Sequence, residues 1–191
     1  MSKPLFVIIN GLPGTGKTTL AKRLAQDVRL PLFSRDGLYE TLYDAMECQH
    51  HGCPENMAPA AFALLYEVAG TLLSAGQSLV TEGFFGRPEL RSAEFLKLRK
   101  ASDFQPLQIM CQADGEVILS RYLQRMGRSD RHEGHRDLEW LEQPGNRERL
   151  LAGRLAPMQL GGTLIEIDTT TQQSFDYEKL LERVRAASVK S

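Results

Sequence analysis

Residues Gly11 to Thr18 read G-L-P-G-T-G-K-T, the complete pattern G-x-x-x-x-G-K-[ST]. Each residue type in it has a physical job. Gly11, Gly14 and Gly16 let the backbone turn tightly and aim its N–H groups at phosphate oxygens. Lys17 has the reach for β- and γ-phosphates, and the Thr18 hydroxyl can ligate Mg²⁺. The flanks fit the same geometry. Leu5-Phe6-Val7-Ile8-Ile9 has the length and β-branched content of a buried strand. Leu20, Leu24 and Val28 then recur at helical spacing, with Ala21 and Ala25 beside them. A strand, a glycine-rich turn and a helix N-terminus whose dipole favours an anion are therefore expected in that order.

The remaining periodicity alternates strands with helices. Leu30 to Ser34 predicts a second strand that leads into Arg35-Asp36, and Leu38, Leu42 and Met46 mark a helix. Residues 58–75 predict another, with Ala61, Leu64, Leu65, Val68 and Leu72 on its inward stripe and Gly76 at its C-terminal cap. Ser78 to Thr81 predicts a third strand ending at Glu82-Gly83, and Pro88 opens the next helix. Leu107 to Cys111 is a fourth strand, followed by a helix over 114–126 capped by Asp114. Thr163 to Ile167 is a fifth strand, and Tyr177 to Ala187 a last helix with Leu180, Leu181 and Val184 inward. The fold class is α/β, a parallel sheet covered on both faces, and 1–191 reads as one domain. Ligands in such sheets bind beyond the carboxyl ends of the strands. That rule gathers the loop, Asp36, Glu82, Asp114 and Asp168 on one rim.

With 42% hydrophobic and 25% charged residues and a net charge of −1, the chain has no global field to recruit nucleic acid or anionic lipid. Its three cysteines do not suggest a disulfide framework. No apolar run approaches the roughly 20 residues that span a bilayer, and no signal-peptide pattern is read. A reduced, cytoplasmic location and no membrane partner are the expectation.

Asp36 directly follows the second strand, where a kinase needs a carboxylate to orient an acceptor hydroxyl and take its proton. The alternative is a helix N-cap. Glu82, at the end of the third strand, is placed to hold a Mg²⁺-bound water or contact the acceptor; the alternative is an exposed strand end. Phe84-Phe85 would line an acceptor pocket or fill core. Arg87 and Arg91 would contact an anionic acceptor or remain solvated.

Arg121, Arg125 and Arg128 stand at i, i+4 and i+7, and Arg131 and Arg136 follow with His132 and His135. Five of the sixteen arginines thus lie between 121 and 136, against Asp130 and Glu133. Guanidinium forks match phosphate oxygens, so this excess reads as a lid over 121–145, hinged at Gly127 and Gly134. A solvated basic face or a nucleic-acid patch is the alternative. Cys48, His50, His51 and Cys53 lack the second ligand pair that zinc sites use, and read as a polar loop over the acceptor pocket. Trp140 reads as core with Leu138 and Leu141. Asp168-Thr169-Thr170 borders an adenine site or forms an ordinary turn.

These residues resemble small P-loop kinases of the polynucleotide-kinase, zeta-toxin and chloramphenicol-phosphotransferase type. The matching pieces are Ile9 to Ala21, Ser34-Arg35-Asp36, Val80 to Gly83, the arginines 121, 125, 128 and 131, and Ile167 to Thr170. The resemblance implies a P-loop three-layer αβα fold with strand order 2-3-1-4-5, and ATP-Mg²⁺ as donor. It implies nucleotide contacts from Gly11, Pro13, Gly14, Thr15, Gly16, Lys17, Thr18, Thr19 and Arg128, and metal contacts from Thr18 and Glu82. It makes Lys17, Asp36, Arg125, Arg128 and Arg131 the catalytic set, with Asp36, Glu82 and Arg87 on the acceptor. Polynucleotide kinases carry an arginine three residues after the aspartate, where this chain has Tyr39. Transfer to a small-molecule hydroxyl is therefore expected ahead of a nucleic-acid 5′ end, with residues 37–77 supplying the acceptor site. An ATP-binding regulatory NTPase without an acceptor is the remaining alternative; a guanine-reading N-K-x-D motif is absent.

Overall fold

The computed structural model describes residues 3–189. Its elements run β1 (Leu5–Gly11), α1 (Lys17–Val28), β2 (Leu32–Ser34), α2 (Arg35–Ala45), α3 (Cys48–His51), α4 (Met57–Ser74), β3 (Leu79–Gly83), α5 (Pro88–Ser102), β4 (Gln105–Gln112), α6 (Gly115–Met126), α7 (Asp137–Glu142), α8 (Asn146–Leu151), β5 (Thr163–Asp168) and α9 (Tyr177–Val189). The five strands form one parallel sheet in the order β2-β3-β1-β4-β5.

Every residue of β1 is buried, as a central strand covered on both faces must be. Its alternate residues serve two cores. Leu5, Val7 and Ile9 pack with Leu20 and Leu24 of α1 and Leu180, Leu181 and Val184 of α9. Phe6 and Ile8 face the other way, to Leu65, Ala69 and Leu73 of α4 and Phe95 of α5. A third cluster of Leu12, Ile118, Leu119, Tyr122 and Leu150 sits beyond the strand ends, beneath the loop and α6.

The inward stripe of α4 differs from the expected one. Leu64 is exposed, Val68 is only half-buried, and Phe62, Ala69 and Leu73 are buried instead. The helix is apolar nearly all round, so composition leaves its orientation open and packing against the sheet decides it. By length and apolarity alone α4 would suffice to cross a membrane, with a mean hydropathy of 1.4; its buried line lies against the sheet. Gly76 does close this helix: its φ is 76°, and the N–H groups of Gly76 and Gln77 reach back to the carbonyls of Leu73 and Leu72.

Candidate active site

The loop from Gly11 to Thr18 joins β1 to α1. Gly14 has φ 98°, and a Cβ there would lie 2.7 Å from the Ile118 carbonyl oxygen, so only glycine fits. Gly11 is needed for another reason: a Cβ would come within 2.6 Å of the Cys111 carbonyl oxygen on the neighbouring strand. Thr15 is buried and turns its hydroxyl to the Leu12 carbonyl (2.8 Å), which locks the bend. Gly16 caps α1 without a side chain, and the first turn holds no acidic residue. The N–H groups there remain open to an anion. Lys17, the first residue of α1, is only 5% exposed. Among the described residues its ammonium makes no hydrogen bond or ion pair. A buried ammonium is costly until an anion meets it.

Glu82 is fully buried. Parallel pairing sets Ser34 opposite Glu82, so the Ser34 hydroxyl donates to Glu82 Oε1 at 2.6 Å. From above, the Thr18 hydroxyl donates to Oε2 at 3.2 Å. Thr18 and Glu82 thus bring hard oxygen donors together beside the loop, the set that suits Mg²⁺. Ser34, rather than Asp36, is the N-cap of α2, its oxygen accepting from Gly37 N–H at 3.3 Å. The capping alternative for Asp36 therefore falls. Asp36 occupies the first turn, where Arg35 Nη1 donates to Oδ1 at 3.0 Å. Burial pushes its pKa up, but the charges of Lys17, Arg35 and His135 hold it below the ordinary carboxylate value.

A cavity of about 540 Å³ lies over the loop. Gly14, Gly16, Lys17, Thr18 and Thr19 form one wall; Arg121, Gln124, Arg125 and Arg128 form the other. The four arginines do not form one mobile row. Arg121 is tied to the end of β5, donating to the carbonyls of Thr169 (3.0 Å) and Thr170 (2.8 Å). Arg125 pairs with Asp137 at 3.0 Å, and its Nε is buried without a partner. Arg128 lies past the end of α6, exposed and paired with Asp130 at 2.7 Å. Arg131 pairs with Asp137 at 2.7 Å.

The segment after these arginines folds onto α2. His135 Nε2 meets Glu40 Oε1 at 2.5 Å, and His132 Nε2 meets Asp44 Oδ1 at 3.1 Å. Their rings lie against Tyr39 and Tyr43, with centroids 6.0 and 5.3 Å apart. Asp36, Tyr39, Glu40, Tyr43 and Asp44 are one face of α2, at helical spacing. Gly134 is no open hinge: it is buried, and a Cβ would stand 2.8 Å from the Tyr43 ring.

The other residues singled out in the sequence fall into ordinary structural places. Arg87 is exposed just before α5, and its side chain makes no hydrogen bond or ion pair among the described residues. Arg91 is the inward one, 3.5 Å over the Phe62 ring and paired with Glu94 at 2.6 Å. Phe84 and Phe85 are packing residues, against Trp140 and against Phe62 and Phe95. Leu138 is exposed, leaving Trp140 and Leu141 to pack. Residues 48–51 form a short helix rather than a loop, with the Cys48 thiol against the Met57 sulfur at 3.8 Å. No metal-binding group of His, Cys, Asp and Glu was found among the described residues. Asp168 is exposed and accepts from Thr170 N–H at 2.7 Å, an ordinary turn. Sequence reasoning missed Asp137, Glu40 and Ser34. The polar partners of a lid are distributed over two segments about 90 residues apart, and no local spacing reveals them.

The sheet order, the phosphate loop and the cavity between loop and arginines define a nucleotide-binding protein of the P-loop, kinase-like class. The family model of the AAA domain matches residues 6–150, and the chain belongs to that family. It is similar, at 35% identity and TM-score 0.85, to a candidate kinase from Chloroflexus aurantiacus j-10-fl, covering 96% of this chain and 98% of that one. Two more distant structures share the fold alone. Chaetomium thermophilum Kti12 in complex with ADP-AlF3 is 16% identical with TM-score 0.66, over 96% of this chain and 98% of that one. A gluconokinase from Sinorhizobium meliloti 1021 is 13% identical with TM-score 0.54, over 100% and 94%. No curated protein matches the sequence.

Proposed function

We propose that the protein transfers the γ-phosphoryl group of ATP to a hydroxyl of a small-molecule acceptor. The observation that carries this is the juxtaposition of Lys17, buried and without an ion pair among the described residues, with the ionised Asp36 it acts upon. That juxtaposition supports a phosphate site beside a carboxylate that can meet an acceptor hydroxyl. Lys17 and the N–H groups of the loop bind the β- and γ-phosphates, and Arg125 and Arg128 face them across the cavity. Asp36 accepts a hydrogen bond from the acceptor hydroxyl and aligns its oxygen with γ-phosphorus. Its lowered pKa makes it an orienting group that takes the proton late, as the new P–O bond forms and the bond to the bridging oxygen of ADP breaks. Thr18 and Glu82 would hold Mg²⁺, which neutralises phosphate charge when bound.

The acceptor sits between α2 and the lid, in contact with Asp36 and near Glu82. Two features favour a small molecule over a nucleic-acid end. Tyr39 stands where a phosphate-gripping arginine would be, and the lid packs on α2 through His132 and His135. The similarity of fold to a gluconokinase supports the same reading. The test is calorimetry with MgATP, then γ-labelled ATP against a panel of sugars, polyols, hydroxy acids and 5′-hydroxyl oligonucleotides. Label should pass to a member of the first three classes. No binding of any nucleoside triphosphate would overturn the reading. Label on oligonucleotides with strongly salt-dependent affinity would make the protein an end kinase. Release to water alone, with a partner held only in the ATP state, would make it a switch.

A further inference from the structure

Asp137 begins α7 and is one of the most heavily bonded carboxylates in the described residues. Its side chain is 10% exposed. Arg131 grips it with two N–H groups, Nε to Oδ2 at 2.7 Å and Nη2 to Oδ1 at 2.9 Å. Arg125 Nη2 donates to the same Oδ1 at 3.0 Å. The Tyr122 hydroxyl lies 2.9 Å from the Asp137 carbonyl oxygen and 3.2 Å from Oδ1. Tyr122 in turn supports Arg125, whose guanidinium carbon stands 4.3 Å over its ring.

The two arginines point to different halves of the site. Arg125 lines the cavity above the phosphate loop. Arg131 lies close enough to Asp36 and Glu40 to feel both their charges. Asp137 is one carboxylate shared by two guanidiniums, which leaves the Arg131 charge to act on Asp36 and Glu40 as well. It also leaves Arg125 Nε buried without a partner. A purely structural ion pair would use its donors up; this one keeps an unmade Arg125 donor on a residue that lines the cavity. Fixed donors aimed at developing charge need no reorganisation when the reaction occurs.

We propose that Asp137 is a positioning residue for phosphoryl transfer, holding Arg125 at the nucleotide and Arg131 at the acceptor side as one preset pair. It touches neither substrate. It sets the spacing of the two groups that do. The proposal rests on the phosphotransferase reading above, and the experiment separates their failures.

Wild type and Asp137→Asn are titrated calorimetrically with MgADP, alone and with aluminium fluoride, which mimics the transferring phosphoryl group. Wild type should bind the aluminium fluoride complex more tightly than MgADP. Asp137→Asn should keep its MgADP affinity within about threefold while affinity for the mimic falls about tenfold or more, the size of loss seen when a supporting partner is removed. Adding Arg131→Met to Asp137→Asn should then cost little more, because the pair is already released. A folded Asp137→Asn with the wild-type preference for the mimic would show that Asp137 only braces the fold, and would overturn the proposal. Should the asparagine variant fail to fold, Asp137→Glu keeps the charge but displaces it by one methylene, and it should lose the same preference; retention would again overturn the proposal. A wild type that binds MgADP but shows no preference would overturn the positioning role alone. A wild type that binds no nucleotide would overturn the underlying reading as well.

Discussion

At Asp36, burial raises the pKa of the carboxyl group while Lys17, Arg35 and His135 lower it, and the lowering prevails. In the proposed reaction such a carboxylate serves first as a hydrogen-bond acceptor. Because Ser34 provides the helix cap, replacing Asp36 does not remove it. Asp36→Asn should bind MgATP about as well as wild type and remain folded. Transfer should fall about 10²–10⁴-fold, the span for a positioned general base. Single-turnover transfer at saturating ATP measures this, and a rate within about threefold of wild type would move the role to another group, Glu82 first. Asp36 was visible in the sequence because its position just after a strand is a local pattern. Glu82 was visible for the same reason, but its burial beneath Thr18 and Ser34 was not. That depends on the pairing of β2 with β3, which only the assembled sheet shows.

The lid works as an element through its packing on α2. The arginine spacing from 121 to 136 was legible in the sequence, and Arg121, Arg125 and Arg128 line the cavity over the loop. What spacing could not show is how each guanidinium is spent: Arg121 on the β5 loop, Arg128 on Asp130, Arg125 and Arg131 on Asp137. Nor did it show that Gly134 is a contact rather than a hinge. Gly134 packs against Tyr43 in the same patch where His132 and His135 meet Asp44 and Glu40. A methyl group there must displace the Tyr43 ring or the lid. Gly134→Ala should therefore weaken the clasp by about 1–3 kcal/mol, the usual cost of overpacking, with the sheet untouched. Hydrogen exchange should speed up in residues 128–137 and along α2 but not in β1 or β4. Unchanged exchange in the lid would mean that the Tyr43 contact does not hold it.

Over the whole molecule, the five strands and the long helices followed from hydrophobic runs, glycines and caps, because a parallel sheet covered on both faces demands those patterns from each segment. The strand order came from the family resemblance, and the short helices Cys48–His51, Asp137–Glu142 and Asn146–Leu151 were not read. The stripe of α4 escaped, since a helix apolar nearly all round has no preferred face until it packs. The rim of that sheet concentrates ionised groups, and their titration gives the fold a definite response to acid. Asp137 is the clearest case. Burial raises its pKa, but the hydrogen bonds and charges of Arg131 and Arg125 lower it further, so the folded value lies below the ordinary 3.8. A group whose folded pKa is depressed stabilises the fold fully above its unfolded value, and that contribution disappears as pH falls through the folded value. At neutral pH, Asp137→Asn should therefore be less stable than wild type by about 1.5–3 kcal/mol, the range for hydrogen bonds to a charged group. The gap should hold down to the ordinary carboxylate range and then close below it, as wild-type Asp137 takes up a proton and comes to resemble the amide. Urea midpoints of both proteins from neutral pH to below the carboxylate range measure the gap. A gap that stays constant into strong acid would mean that the charge of Asp137 contributes nothing to stability and that its neutral hydrogen bonds alone hold the two arginines.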